Sequence, residues 1–194
     1  MERDDGPALP RAARERGRRP GGVGRPAGVV GRLAPGSPET GLIDWVRRDG
    51  RDVRRWRRPE DGLDVTLVGP AAASGVPPGE LAAWMGEAVA GPGRRLDRLR
   101  RVLNYWVLIV EDPSRGAVHV ATDPLGIYPL FLTRDVLHPS FGCDVWEMRD
   151  AGLIVDGSIN HPAVAAWLVY SYDYSCGSIF QASTNVRPCC SSVV

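Results

Sequence analysis

The chain has 194 residues, 43% of them hydrophobic and 24% charged, with a formal net charge of +1. That length supports one domain with a sizeable core, and the near-neutral balance singles out neither a nucleic acid nor an acidic partner. No apolar run approaches the roughly 20 residues of a membrane span, and the opening MERDDGPALPRAARERGRRPGG lacks the apolar centre of a secretory signal, so a cytoplasmic protein without membrane contact is expected.

Residues 1–25 form an Arg/Gly/Pro-rich leader with few large apolar side chains. Such a segment buries too little surface to offset its ordering entropy, and disorder is expected. Clustered arginines attract phosphate. Here Glu2, Asp4, Asp5 and Glu15 interrupt the cluster and no aromatic is interleaved, which argues against a nucleic-acid arm. Every basic residue of the Lys/Arg class is arginine, a bias that reads first as GC-rich coding sequence.

Order is expected to begin at Pro26-Ala27-Gly28-Val29-Val30. Ser37 to Arg48 reads as a short helix, with Ser37 as N-cap and Pro38 in first position. Its buried side would be Ile43 and Val46, or Leu42 and Trp45. Val53–Arg57 and Leu63–Val68 read as strands. The Arg54-Arg55 and Arg57-Arg58 pairs fit a solvated face better than an anion site. Glu80 to Ala90 carries Leu81, Trp84, Met85 and Ala88 at helical spacing, a core-packing stripe.

Leu103 to Arg134 is the centre of the chain. Tyr105–Val110 is an almost continuous apolar run, as in a strand covered on both faces. Trp106 and Leu108 should share one face, Val107 and Ile109 the other. Asp112-Pro113-Ser114-Arg115-Gly116 is good turn chemistry, and Ala117–Thr122 follows as a second strand with Val118 and Val120 opposite His119. Asp123-Pro124-Leu125-Gly126 repeats the turn, with a positive φ expected at Gly126. Leu130–Thr133 then returns, making a three-stranded β-meander. Phe141–Trp146 and Gly152–Asp156 read as further short strands. Asn160 caps a helix with Pro162 in its first turn and Val164, Trp167 and Leu168 as its apolar side.

Chemistry-bearing residues are sparse. Cys143, Cys176, Cys189 and Cys190 include no C-x-x-C pair, and His119, His138 and His161 lack ligand spacing. Reduced structural thiols are expected, with no metal. Ser140 beside His138 and Cys143 near Asp144 are sequence neighbours, which seldom form a working dyad. Gly28 and Gly31 do not make a dinucleotide fingerprint. His119 reads as a satisfied, partly buried side chain. No catalytic, cofactor-binding or metal-binding residue is assigned.

An apolar strand ending in Asp, a turn, and a strand leading into Asp-x-x-Gly-Ile-x-Pro-Leu are here VEDPSRGAVHVATDPLGIYPLFL. This resembles the N-terminal, class II glutamine amidotransferase-like domain of glutamine-hydrolysing asparagine synthetases, over residues 26–188. The resemblance implies an α+β fold, an αββα sandwich of the N-terminal-nucleophile hydrolase type. It also implies that a cysteine before Gly28-Val29-Val30 would attack the glutamine amide with its own α-amino group as base. Ala27 stands there, and a methyl group attacks nothing. The family's Asn-Gly-Glu loop is replaced by Pro70-Ala71-Ala72-Ala73-Ser74-Gly75. The aspartate that pairs with the substrate's ammonium is replaced by Leu103, beside an uncharged Asn104. Nucleophile, loop and ammonium partner depart together.

Gly177-Ser178-Ile179-Phe180-Gln181 and Val186-Arg187-Pro188 resemble the family's closing segment. A tail, residues 189–194, follows where the family continues into a synthetase domain with its Ser-Gly-Gly-x-Asp-Ser ATP-pyrophosphate loop. ATP and Mg are accordingly expected only in that missing domain. The reading is a degenerate domain, inactive alone, similar to those of β-lactam synthetases and lasso-peptide cyclases, where it is a scaffold for an ATP-dependent synthetase half. The alternatives are a fragment of a glutamine-hydrolysing asparagine synthase, serving asparagine biosynthesis, and a free-standing interaction domain with a basic arm. A synthetase domain or subunit is the expected partner, and homo-oligomerisation stays open.

Overall fold

The computed structural model describes residues 28–34, 41–50, 52–91, 93, 95–133, 135, 139–170, 178–185 and 192–193. The leader, the proposed cap Ser37, Ala27, His138, Cys176, Cys189 and Cys190 lie outside them. Strands β1 (Gly28–Leu33), β2 (Ile43–Asp49), β9 (Phe131–Thr133), β10 (Ser140–Gly142) and β11 (Ser183–Asn185) form a back sheet in the order β11-β9-β10-β1-β2. Strands β3 (Val53–Arg57), β4 (Asp64–Val68), β7 (Val107–Asp112), β8 (Ala117–Thr122) and β12 (Ser192–Val193) form a front sheet in the order β12-β8-β7-β4-β3. A short pair, β5 (Ala72–Ala73) and β6 (Val102–Leu103), completes a mixed α+β architecture whose paired strands are antiparallel.

Strand alternation sorts the core into layers. Val65, Leu67, Trp106, Leu108 and Val110 turn outward from the front sheet and pack under α1 (Leu81–Ala90). Val68, Val107, Ile109, Val118 and Val120 turn the other way and meet Val29, Ile43, Leu130 and Phe141 of the back sheet and its approaches. Val30 faces the far side of the back sheet, against Val145 and Met148 of α2 (Val145–Asp150) and Phe180. The three clusters thus lie under α1, between the two sheets, and against α2. A polar clamp also ties the sheets. Glu111 of β7 accepts from the Leu42 amide and the Trp45 indole, each at 3.1 Å. Arg48 of β2 donates to Thr66 Oγ1 at 2.7 Å and pairs with Asp64 of β4.

The two-faced reading of Trp106 to Ile109 holds, as do the strands at 53–57 and 117–122 and the helix at 81–90. The meander does not. β8 pairs with β7 and β12, whereas β9 pairs with β10 and β11 in the other sheet. Residues 123–130 are too long for a tight hairpin, and the Asp123 carboxylate gathers the Leu125, Ile127 and Tyr128 amides at 3.0, 3.2 and 3.1 Å, which turns the chain across to the back sheet. Gly126 has the expected positive φ, 62°.

The helix expected to end at Arg48 is a strand from Ile43 onward. Ile43 and Trp45 point inward while Asp44 and Val46 are exposed, and pairing along β1 favours that period of two. The strand expected at 141–146 ends at Gly142, because Asp144 Oδ1 caps α2 by accepting from the Trp146 and Glu147 amides. Residues 152–156 form no strand; Gly152, in a turn at φ 73°, leads into irregular chain. α3 (His161–Tyr170) is a helix as read, with Asn160 Oδ1 accepting from Ala163 N at 3.4 Å. Its supposed buried side is not buried: Trp167 is 65% and Leu168 76% exposed.

Candidate functional site

The start of β1, the link from β6 to β7, and the Asp123 turn converge at one end of the sandwich. Val29 O accepts from Cys143 N at 3.0 Å, which brings the first strand against the end of β10. Tyr128 lies in the same inter-sheet cluster and stacks on Tyr105, ring centroids 6.1 Å apart. Trp106 O accepts from Asp123 N at 3.0 Å, locking the turn to the strand link. Gly69 must be glycine here, since a Cβ would sit 2.5 Å from Tyr105 O.

Leu103 ends β6 opposite Ala72 and is 61% exposed. Asn104 has φ 67°, the left-handed region that asparagine tolerates better than most side chains. Its Nδ2 donates to Pro70 O at 2.9 Å, so the amide is committed to holding the 70–75 segment. Ser74 and Gly75 form the turn of that segment, between β5 and Val76.

The nucleophile candidates separate. Cys143 is buried, and burial pushes its thiol up to about 12, opposed by the hydrogen bond to the Val29 backbone. At pH 7 a thiol with that pKa is ionised to about one part in 10⁵. Asp144 is no base for it, being the cap of α2. Ser140 is buried in β10, its amide donating to Thr133 Oγ1 at 2.8 Å. His119 is buried in β8 on the side opposite Val118 and Val120, and His161 opens α3 in solvent. Gly31 is a spacer, since a Cβ there would lie 2.8 Å from Ile43 Cγ2 and 2.9 Å from Phe141 Cζ. That is packing between strands, with no phosphate loop at Gly28 and Gly31.

No protein-family model matches the chain, and no curated protein matches it.

The residues that organise this end escaped the sequence reading. The Tyr128 phenol is pushed up to about 12, chiefly by burial and then by Cys143, Asp52 and Tyr105 around it. Phenol and thiol are both protonated at neutral pH. Asp123 was visible only as a turn residue, although its buried carboxylate shapes the whole crossing. Among the described residues no group of three or more His, Cys, Asp or Glu is placed to hold a metal ion. Among them, too, no helix is long and apolar enough to cross a membrane.

Proposed function

We propose that this domain is a non-hydrolysing relative of class II glutamine amidotransferase domains, an αββα sandwich of the N-terminal-nucleophile hydrolase type that serves as scaffold for an ATP-dependent amide-forming synthetase or cyclase. The observation that carries this reading is the chemistry of the converging end. Leu103 projects into solvent where an ammonium partner would be required, and the nearby thiol and phenol both keep their protons. An amidase needs an activated nucleophile with a base in reach, and the described residues of this end supply neither.

The placement of the three clusters, under α1, between the sheets and against α2, supports the same reading. So does α3, whose Trp167, Leu168 and Val169 are exposed on a helix apolar nearly all round. Such helices are normally covered, and a synthetase half is the cover proposed. The partner is held to be an ATP-binding chain with the Ser-Gly-Gly-x-Asp-Ser loop, and ATP and Mg belong to it. The test is co-expression with a synthetase of that type encoded in an adjoining frame. The two chains are expected to co-purify, and amide formation is expected to collapse when this chain is omitted. A synthetase that is equally soluble and active alone would remove the scaffold role.

A further inference from the structure

Between α1 and β6 the chain forms a 3-10 helix, Leu96–Arg101, in contact with both. Beneath it is a hollow of about 370 Å³ walled mainly by Leu96, Leu99, Trp106, Ala121 and Pro124. Protein interiors are normally packed without voids of this size, and this one is open at the surface. Leu96, on its wall, is itself 39% exposed.

The charge around the hollow selects the occupant. From 95 to 101 the chain carries Arg95, Arg98, Arg100 and Arg101 against the one acid Asp97. Arg95, Arg100 and Arg101 are exposed, and none of the four arginines is in an ion pair among the described residues. We propose that this face is a docking site for an acidic peptide segment that inserts one large apolar side chain, aromatic or leucine, into the hollow while its flanking Asp or Glu residues meet the arginines. A pocket for one anchor ringed by complementary charge is the usual anatomy of peptide recognition. A nucleic acid would satisfy the arginines but has no aliphatic anchor for an apolar hollow. The inference does not depend on the scaffold reading, because it concerns the opposite face of the front sheet from the inter-sheet site.

The experiment is selection of a random 12-mer phage-displayed peptide library on the immobilised full chain, followed by titration of the best synthetic peptide. Enriched peptides are expected to carry Trp, Phe or Leu flanked by Asp or Glu. The peptide should bind about tenfold more weakly to Arg100→Glu/Arg101→Glu, and more weakly to Leu96→Ala, all three exposed positions whose change leaves the core intact. Affinity should fall with added salt, and the Trp106 indole N–H resonance should shift on binding. Basic or anchorless peptides, no enrichment over a coated blank, equal binding to the variants, or tighter binding of a 20-nucleotide single-stranded DNA would each overturn the proposal.

Discussion

Helices α1 and α3 are each ten residues long and combine alanines with several large apolar side chains, yet they end in opposite environments. In α1 seven residues are buried, among them Leu81, Met85 and Val89. In α3 Ala163 is the one buried side chain among the described residues, and the helix presents Trp167, Leu168 and Val169 to solvent. The difference lies in what each helix can approach. α1 has Gly86 facing the sheet, where an added Cβ would come within 2.4 Å of Val65 Cγ2. That missing side chain lets the helix lie directly on β4 and close its core. Among the described residues, nothing covers the large side chains of α3, which stay exposed. Apolar composition makes a helix; a shaped partner surface makes it part of a core.

The sharpest way to break this comparison is at the strand under α1. Leu108 is fully buried in β7 between the sheet and α1. Leu108→Ala should cost about 2–5 kcal/mol, a large part of the roughly 5–15 kcal/mol that holds a domain. In urea the midpoint should drop sharply. Gly86→Ala should come next, at about 1–3 kcal/mol. Alanine is normally the better helix former by about 1 kcal/mol, so the sign of this change separates close approach from propensity. An increase in stability would mean that α1 stands off the sheet.

A further effect is expected at alkaline pH. The folded thiol of Cys143, raised to about 12 by burial, keeps its proton where the unfolded thiol, near its ordinary 9.0, loses it. Its contribution is therefore fully present below pH 9 and lost as pH rises from 9 towards 12, with a slope of about 1.4 kcal/mol per pH unit. The Tyr128 phenol acts in the same direction from about pH 10 upward. Cys143→Ala should flatten the alkaline limb of a stability-versus-pH curve, and an unchanged limb would contradict the buried-thiol assignment. Smallest of all should be Leu168→Ser on α3, within about 0.5 kcal/mol for the isolated chain. A loss comparable with Leu108→Ala would show that α3 is covered within the chain itself.

What the sequence made legible was local. Alternation named the faces of β7 and β8, and helical spacing named the buried side of α1, because both patterns repeat within a few residues. The destination of β9 was not legible, since an Asp-Pro-x-Gly turn reads alike whether the next strand returns beside β8 or crosses to the other sheet. Ile43, Trp45 and Val46 fit a helix or a strand, and long-range pairing with β1 decides for the strand. α2 did leave a signal, Asp144 followed three residues later by Glu147, a capping-box spacing at the start of a helix. At the candidate site, Leu103 and Asn104 are neighbours in the chain and could be read directly. Tyr128 against Cys143, and Glu111 against Arg48 and Trp45, join residues far apart in the chain and needed the fold to meet.

The central claim is that this fold has no amidase chemistry of its own, and the most direct measurement is glutamate release from glutamine by the purified full chain. The account predicts no release above a protein-free control across pH 6–9, because the thiol and phenol at the converging end remain protonated over that range. Steady glutamate production that scales with chain concentration and survives repurification would contradict it.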